Sequence, residues 1–246
     1  MPKFLLSESL PSAGKPNYIG MKRTVILYED MLWRNGEPKS GKPLPESIAY
    51  WVDLLRTLNY SGLLVIDIEH WPIYTDPVTR QYMVDILNAL KVEGRKYQVG
   101  YYAMVPQRNS IESLFPGTPG YLAWKQRNDF VQPIADAAEV LFPSLYTLHP
   151  DQLRWNQYIV ENVKEARRIA KGKKIYAFLW PQYHPAVPIV AREYLDQPFW
   201  KYQLEEIRRL TDGAILWREA DGTAWNEDAP WLKTVRQFML DYSLAP

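Results

Sequence analysis

Apolar positions along this 246-residue chain follow two alternating rhythms. Short apolar runs bounded by turn residues read as buried strands over Phe4–Leu6, Thr24–Tyr28, Leu63–Ile68, Gln98–Met104, Val140–Tyr146, Lys174–Trp180 and Ala214–Trp217. Between them, apolar residues recur at helical spacing. Ile48, Val52, Leu55 and Leu58 stand behind Pro45, a first-turn residue, and Trp155, Ile159, Val163, Ala166 and Ala170 end before Gly172. A third stripe, Trp231, Val235, Phe238 and Tyr242, has Asp228 as its expected N-cap. These stripes are packing faces.

Seven strands with intervening helices give an α/β fold, either a parallel barrel or a doubly wound sheet. No Gly-x-Gly-x-x-Gly follows any strand, which weakens the dinucleotide-binding version. Candidate polar residues gather at several strand ends, and that favours a distorted, TIM-like parallel (β/α) barrel. The first strand is the least defined, because Leu10–Gly20 is a Pro/Gly/Ser-rich connection. With no internal repeat and no linker, residues 1–246 are expected to form one barrel domain.

The strand Leu63–Ile68 carries the main chemical signal. It ends in two carboxylates, Asp67 and Glu69, one residue apart. Alternation along a strand points both the same way, with Cα atoms roughly 7 Å apart. Acids at the end of an apolar strand are costly to bury, and C-terminal strand ends are where parallel α/β folds place active sites. General acid catalysis fits such a pair. An isolated D-x-E is nevertheless more often structural, one acid capping a loop and the other pairing with an arginine.

Composition narrows the class. A 47% hydrophobic content is that of an ordinary globular protein, and no apolar run approaches a membrane span. Ten Trp and seventeen Tyr are unusual, and such richness accompanies sugar sites, where flat rings stack on pyranose faces. The net charge of +1, without a basic stripe, gives nucleic-acid binding no electrostatic support. Absence of cysteine removes disulfides, thiolate catalysis and thiolate metal sites, and leaves the compartment open. His70, His149 and His184 are too scattered for a metal triad and read as loop or supporting residues, so no metal or cofactor is expected. The opening Met1-Pro-Lys-Phe-Leu-Leu-Ser7 is too short in its apolar part for a signal peptide. The expectation is a cytoplasmic protein, or a secreted one whose leader lies outside this sequence.

Further strand ends carry polar aromatics: Tyr101 and Tyr102, Tyr146, Trp180 and Trp217. Each alone is an ordinary core or rim residue. Together with Asp67 and Glu69 they describe a mouth lined by phenols, indoles and two acids. Here the chain resembles the glycoside hydrolase family that contains the animal and venom hyaluronidases. Val65-Ile-Asp-Ile-Glu-His-Trp71 resembles its V-I-D-W-E-x-W signature, and Val99-Gly-Tyr-Tyr-Ala103 its W-G-Y-Y-A strand. Leu141-Phe-Pro-Ser-Leu-Tyr146 resembles L-Y-P-S-I-Y, and Gly213-Ala-Ile-Leu-Trp217 resembles G-V-V-L-W. Val25-Ile-Leu-Tyr-Glu-Asp30 is similar to the second strand, and Asn35-Gly-Glu-Pro38 to the stretch after it. The matches keep the family's order over roughly residues 22 to 240.

The resemblance implies a distorted seven-stranded barrel and a set of roles. Glu69 matches the general acid, and Asp67 the residue that holds the substrate's acetamido group. Tyr102 and Tyr146 match tyrosines that assist this positioning, and Trp217 matches the tryptophan lining the acetamido pocket. Tyr28, Trp71, Tyr101 and Trp180 are read as further substrate-binding aromatics. Two acids on one strand do not flank opposite faces of a sugar, as a nucleophile and acid pair must. A nucleophile from the substrate resolves this: the acetamido oxygen attacks the anomeric carbon while Glu69 protonates the leaving oxygen. Like charge on Asp67 is expected to keep Glu69 protonated near neutral pH.

The implied activity is a retaining endo-β-N-acetylhexosaminidase acting on a polysaccharide or oligosaccharide, with no nucleic-acid or membrane partner and an open oligomeric state. A chitinase-like hydrolase and a catalytically silent sugar-binding barrel are the alternatives. The chain departs from the family at Ile68, where tryptophan is usual, and at Pro72, where a basic residue is common; it also lacks the disulfides. Near-neutral charge gives no strong pull on a polyanion; Arg108 and Arg218, just beyond motif strands, are candidates for a local contribution, though a solvent-exposed arginine is the commoner reading of each.

Overall fold

The computed structural model describes residues 4–33, 43 and 45–244. Among these residues, eight short strands, all parallel to their neighbours, form the staves of a barrel: β1 Leu5–Ser9, β2 Lys22–Arg23, β3 Val25–Tyr28, β4 Leu63–Asp67, β5 Gln98–Tyr101, β6 Val140–Leu141, β7 Lys174–Leu179 and β8 Gly213–Trp217. They lie in two hydrogen-bonded sheets, ordered β2-β1-β8-β7-β6 and β3-β4-β5.

Two seams close the ring. At the first, Thr24 separates β2 from β3 within a single stave and donates its N–H to the Glu8 carbonyl at 2.8 Å. At the second, Glu139 N–H reaches the Val99 carbonyl (2.9 Å) and Ala103 N–H the Phe142 carbonyl (3.0 Å). Gly100 sits at this second seam. A Cβ there would lie 2.2 Å from the Val140 carbonyl oxygen, so only glycine lets β5 and β6 approach this closely. Counting β2 and β3 as one, seven staves surround the axis.

Helices α1 Pro45–Thr57, α2 Pro77–Leu90, α3 Pro119–Phe130, α4 Gln132–Ala137, α5 Gln152–Ala170, α6 Gln197–Leu210 and α7 Pro230–Asp241 form the outer layer. Aspartate side chains cap several of them, as Asp76 does for α2, Asp151 for α5 and Asp196 for α6. None of the described helices is long and apolar enough to cross a membrane.

Strand alternation sorts the core. Leu63, Val65, Phe142, Tyr176, Phe178 and Ile215 fill the barrel interior. Leu64, Ile66, Val99, Leu141 and Ile175 face the helices on one side of the ring, and Ala177, Leu179, Ala214 and Leu216 on the other.

Several expectations change in detail. The expected strands over 98–104 and 140–146 stop at Tyr101 and Leu141. Ala103 takes a left-handed conformation (φ 53°), and Pro143 has no N–H to give a ladder. Leu58 falls beyond the end of α1 and is 66% exposed, so it is no part of the packing stripe. Ala229, not Asp228, is the N-cap of α7; Asp228 instead pairs with Lys233 at 3.0 Å. The Asn35–Pro38 motif lies outside the described residues.

Candidate active site

Asp67 is the last residue of β4 and shares the inward parity of Leu63 and Val65. Glu69 keeps that parity two residues on, while Ile68 between them is fully buried among the residues facing the helices. Both acids open into a cavity of about 150 Å³ at the C-terminal end of the staves. Neither carboxyl has a hydrogen-bond partner among the described residues. Tyr102, Tyr146, Trp180 and Trp217 line the same cavity.

The aromatic rings form a box. Tyr146 stacks on Trp217 (5.6 Å, 21°) and meets Trp180 edge-on (5.6 Å, 69°), while Trp180 and Trp217 are themselves edge-on at 5.1 Å. Each indole is locked by its N–H, Trp217 to the Tyr28 hydroxyl (3.2 Å) and Trp180 to Gln182 Oε1 (2.7 Å). Tyr102 donates to Ser144 Oγ at 3.0 Å, and Arg108 Nη1 donates to the same oxygen at 3.1 Å.

Electrostatics divide the two acids. Burial drives the Asp67 carboxyl up to about 7, and Glu69 and Glu29 add to the rise while Arg108 opposes it. Asp67 is the more deeply set of the two acids, Glu69 being exposed. Burial also holds the Tyr102 phenol up at about 12 and pushes Tyr146 well above its ordinary range, so both remain neutral donors. A carboxyl protonated near neutrality, a second carboxyl beside it and a box of neutral aromatics can move a proton to or from an oxygen of a bound, ring-shaped molecule.

The structure thus brings together Asp67, Glu69, Tyr102, Tyr146, Trp180 and Trp217, with Tyr28 bracing Trp217 from behind. Tyr101 and Trp71 are elsewhere. Tyr101 has the outward parity and donates its hydroxyl to the Met83 carbonyl of α2 (3.0 Å). Trp71 follows the turn after β4 and packs edge-on against Trp33 and Tyr82 behind the barrel wall. Neither lines the cavity, and their assignment as cavity-lining residues is corrected.

Three cavity residues were undervalued or missed in the sequence reading. Arg108 is not a solvent-exposed arginine: it is half-buried in the cavity wall, fixed by Ser144. His184 faces the cavity against Tyr146 and Trp180, and burial with Arg108 nearby lowers its imidazole to about 4. Glu219 forms the rim, paired with Arg192 by two contacts of 2.8 and 3.1 Å. All three sit on loops without periodicity. Position just beyond a strand end was their sole signal. Arg218 is also buried, at 4% exposure, with its guanidinium on Asp221 at 2.8 Å.

No protein-family model matches the chain, and no curated protein sequence matches it. Solved structures do. A crystal structure of bee venom hyaluronidase is 21% identical, with a TM-score of 0.63 over 89% of this chain and 84% of that one. The same venom enzyme in complex with a hyaluronic acid tetramer is 20% identical, with a TM-score of 0.58 over 90% and 84%. At this identity the likeness is one of fold. The chain has the distorted parallel (β/α) barrel seen in glycoside hydrolases.

Proposed function

We propose that this barrel is a retaining endo-β-N-acetylhexosaminidase that cleaves N-acetylhexosamine-containing glycans with the substrate's own acetamido group as nucleophile. One observation carries the reading: Asp67 and Glu69 open into one cavity beside the Tyr146–Trp180–Trp217 box. The box suits a flat acetamido group held against ring faces. Among the described residues, the cavity wall holds one further carboxylate, Glu219, which Arg192 engages. A nucleophile from the substrate fits that one-sided arrangement.

The proton follows from the geometry. Burial raises the Asp67 carboxyl to about 7, so a proton is available there near neutral pH. An acetamido N–H donated to Asp67 favours its ionised form, and the proton passes to Glu69. Glu69 then protonates the leaving oxygen as the acetamido oxygen attacks the anomeric carbon and the C–O bond breaks. Water, deprotonated by Glu69, opens the oxazolinium ring, and configuration is retained. Tyr146, as a neutral donor, holds the acetamido oxygen in line, flanked by Tyr102, whose own O–H is held by Ser144.

Because the venom enzyme of like fold was crystallised with a hyaluronic acid tetramer, hyaluronan-type glycans are the first to test. The cavity's charge balance favours a second reading, an uncharged N-acetylglucosamine polymer, because Arg108 faces two acids and leaves no surplus for a polyanion. Separate digestion of hyaluronan, chondroitin and chitin oligosaccharides, with NMR assignment of the first-formed anomer, tests both readings. Release of the β-anomer by the unsubstituted protein and loss of turnover in Glu69→Gln are expected. Release of the α-anomer, or no cleavage of any of the three, defeats the proposal.

A further inference from the structure

A second and larger cavity, about 440 Å³, lies at the same end of the barrel. Its walls come from the segment entering α6 and from the loop between β8 and α7. Trp217 faces the catalytic cavity and Arg218, the next residue, faces this one, so the end of β8 partitions the two.

The cavity is built in advance of any ligand. Arg218 grips Asp221 through two contacts of 2.8 and 2.9 Å, and Asp221 accepts the Thr223 N–H at 2.9 Å. Trp225 anchors the loop to the N-terminal segment, its backbone N–H on the Ala13 carbonyl (2.8 Å) and its indole N–H on Glu227 (2.6 Å). Trp225 and Trp231 meet edge-on at 6.1 Å. Walls fixed this way cost little ordering on binding.

Its chemistry selects the ligand. The formal charges are matched within the walls: Arg218 is paired with Asp221, and Asp196 caps α6 by accepting the Phe199 N–H, while Arg218 Nε stays buried without a partner among the described residues. The cavity carries no unmatched charge that selects an ion. Polar groups left uncommitted among the described residues are of both kinds. Trp231 is 4% exposed, and its indole N–H has no partner there. Asn226 accepts the Asp228 N–H through Oδ1, leaving its amide N–H groups, and Gln197 donates to the Pro230 carbonyl, leaving its own oxygen. Tyr194, 47% exposed, adds a hydroxyl. Donors and acceptors alternating beside indole and phenol faces match an uncharged pyranose, which offers apolar ring faces edged with hydroxyls.

We propose that this cavity is an auxiliary saccharide-binding site, holding uncharged sugar units outside the catalytic cavity. It stands apart from the catalytic reading, since it needs binding and no chemistry. The probe is chitotetraose, titrated calorimetrically into Glu69→Gln with and without a thiazoline mimic of the cyclic intermediate. The expected result is a binding event that survives the thiazoline and weakens at least about tenfold in Glu69→Gln carrying Trp225→Ala. Tyr194→Ala, at a half-exposed side chain, should weaken it in the same direction with an unchanged melting temperature, which covers any misfolding of the Trp225 variant. Turnover of a short chromogenic substrate by the single variants Trp225→Ala and Tyr194→Ala should stay at the unsubstituted level. Loss of all chitotetraose binding in thiazoline, or full binding by both variants, overturns the site. Failure of the glycosidase reading appears separately, as absence of cleavage while Trp225-dependent binding persists.

Discussion

Asp67→Asn should abolish turnover and yet make the protein more stable, and the stabilisation should depend on pH. The carboxyl has an ordinary value of 3.8 and sits at about 7 in the fold, chiefly because burial penalises its charge. The folded protein therefore holds this proton where the unfolded chain has released it. The stability Asp67 contributes in its neutral form is complete below about pH 4, is lost as pH rises towards 7, and stays lost above. A distance of roughly 3 pH units is worth at most about 4 kcal/mol, at about 1.36 kcal/mol per unit. Water in the open cavity screens part of that, so about 2 kcal/mol is a reasonable expectation. For a chain of this size it corresponds to a rise of about 4–8 °C in Tm.

Asparagine has nearly the same shape and cannot ionise, so it behaves as a permanently uncharged Asp67. Urea or thermal unfolding of both proteins at pH 4 and pH 8 isolates the effect, because other carboxylates titrate alike in the two and cancel. The difference should be near zero at pH 4 and should favour the variant at pH 8. Equal stability at pH 8, or an identical offset at both pH values, would refute the argument that Asp67 is a strained charge. Turnover must fall in the same variant, because Asn offers the acetamido group an amide in place of a carboxylate. Stability gained together with activity lost is the mark of a site residue.

Glu69→Gln should reduce turnover by at least the roughly 10²–10⁴-fold typical of a lost general acid, with chitin or hyaluronan oligosaccharide binding retained in calorimetry. Tyr146→Phe removes one hydroxyl, nominally about 0.5–1.5 kcal/mol, and Trp217→Phe keeps most of its apolar burial. Both should depress turnover far more than Tm, and a fall in Tm with normal activity per folded molecule would mark them as packing residues only. Gly100→Ala places a methyl 2.2 Å from the Val140 carbonyl and should cost about 1–3 kcal/mol as β5 and β6 separate, measurable by urea unfolding. Because Tyr102 follows that seam directly, its activity should fall as well.

The barrel was legible because parallel strands buried on both faces leave near-continuous apolar runs, and Leu63–Asp67 and Lys174–Leu179 appear as such runs. The site was legible where strand parity governs. Asp67, Tyr102 and Trp217 each continue the inward positions of an identified strand, and each reaches the cavity. The same rule, applied to Tyr101 one residue earlier, puts that side chain against α2, so treating both tyrosines of the pair as site residues overlooked the pleat. Trp71 fails for a different reason. Beyond Glu69 the chain leaves the strand, and parity no longer says which way a side chain points.

Loops carry the remainder of the site. Arg108 and His184 reach the cavity through tertiary contacts that no local pattern encodes, Arg108 through Ser144 and His184 through stacking on Tyr146. Their arrival changes the electrostatics that the acid pair alone suggested. Two acids in isolation leave open which of them holds the shared proton. Asp67 ends a buried strand while Glu69 stands at the mouth; burial raises the Asp67 carboxyl to about 7, and Arg108 limits that rise. In the proposed mechanism, the outer carboxyl receives the proton when a bound acetamido group makes Asp67 ionise. Catalysis of this kind would be gated by occupancy of the aromatic box, because an empty box leaves the proton on Asp67, away from any leaving group.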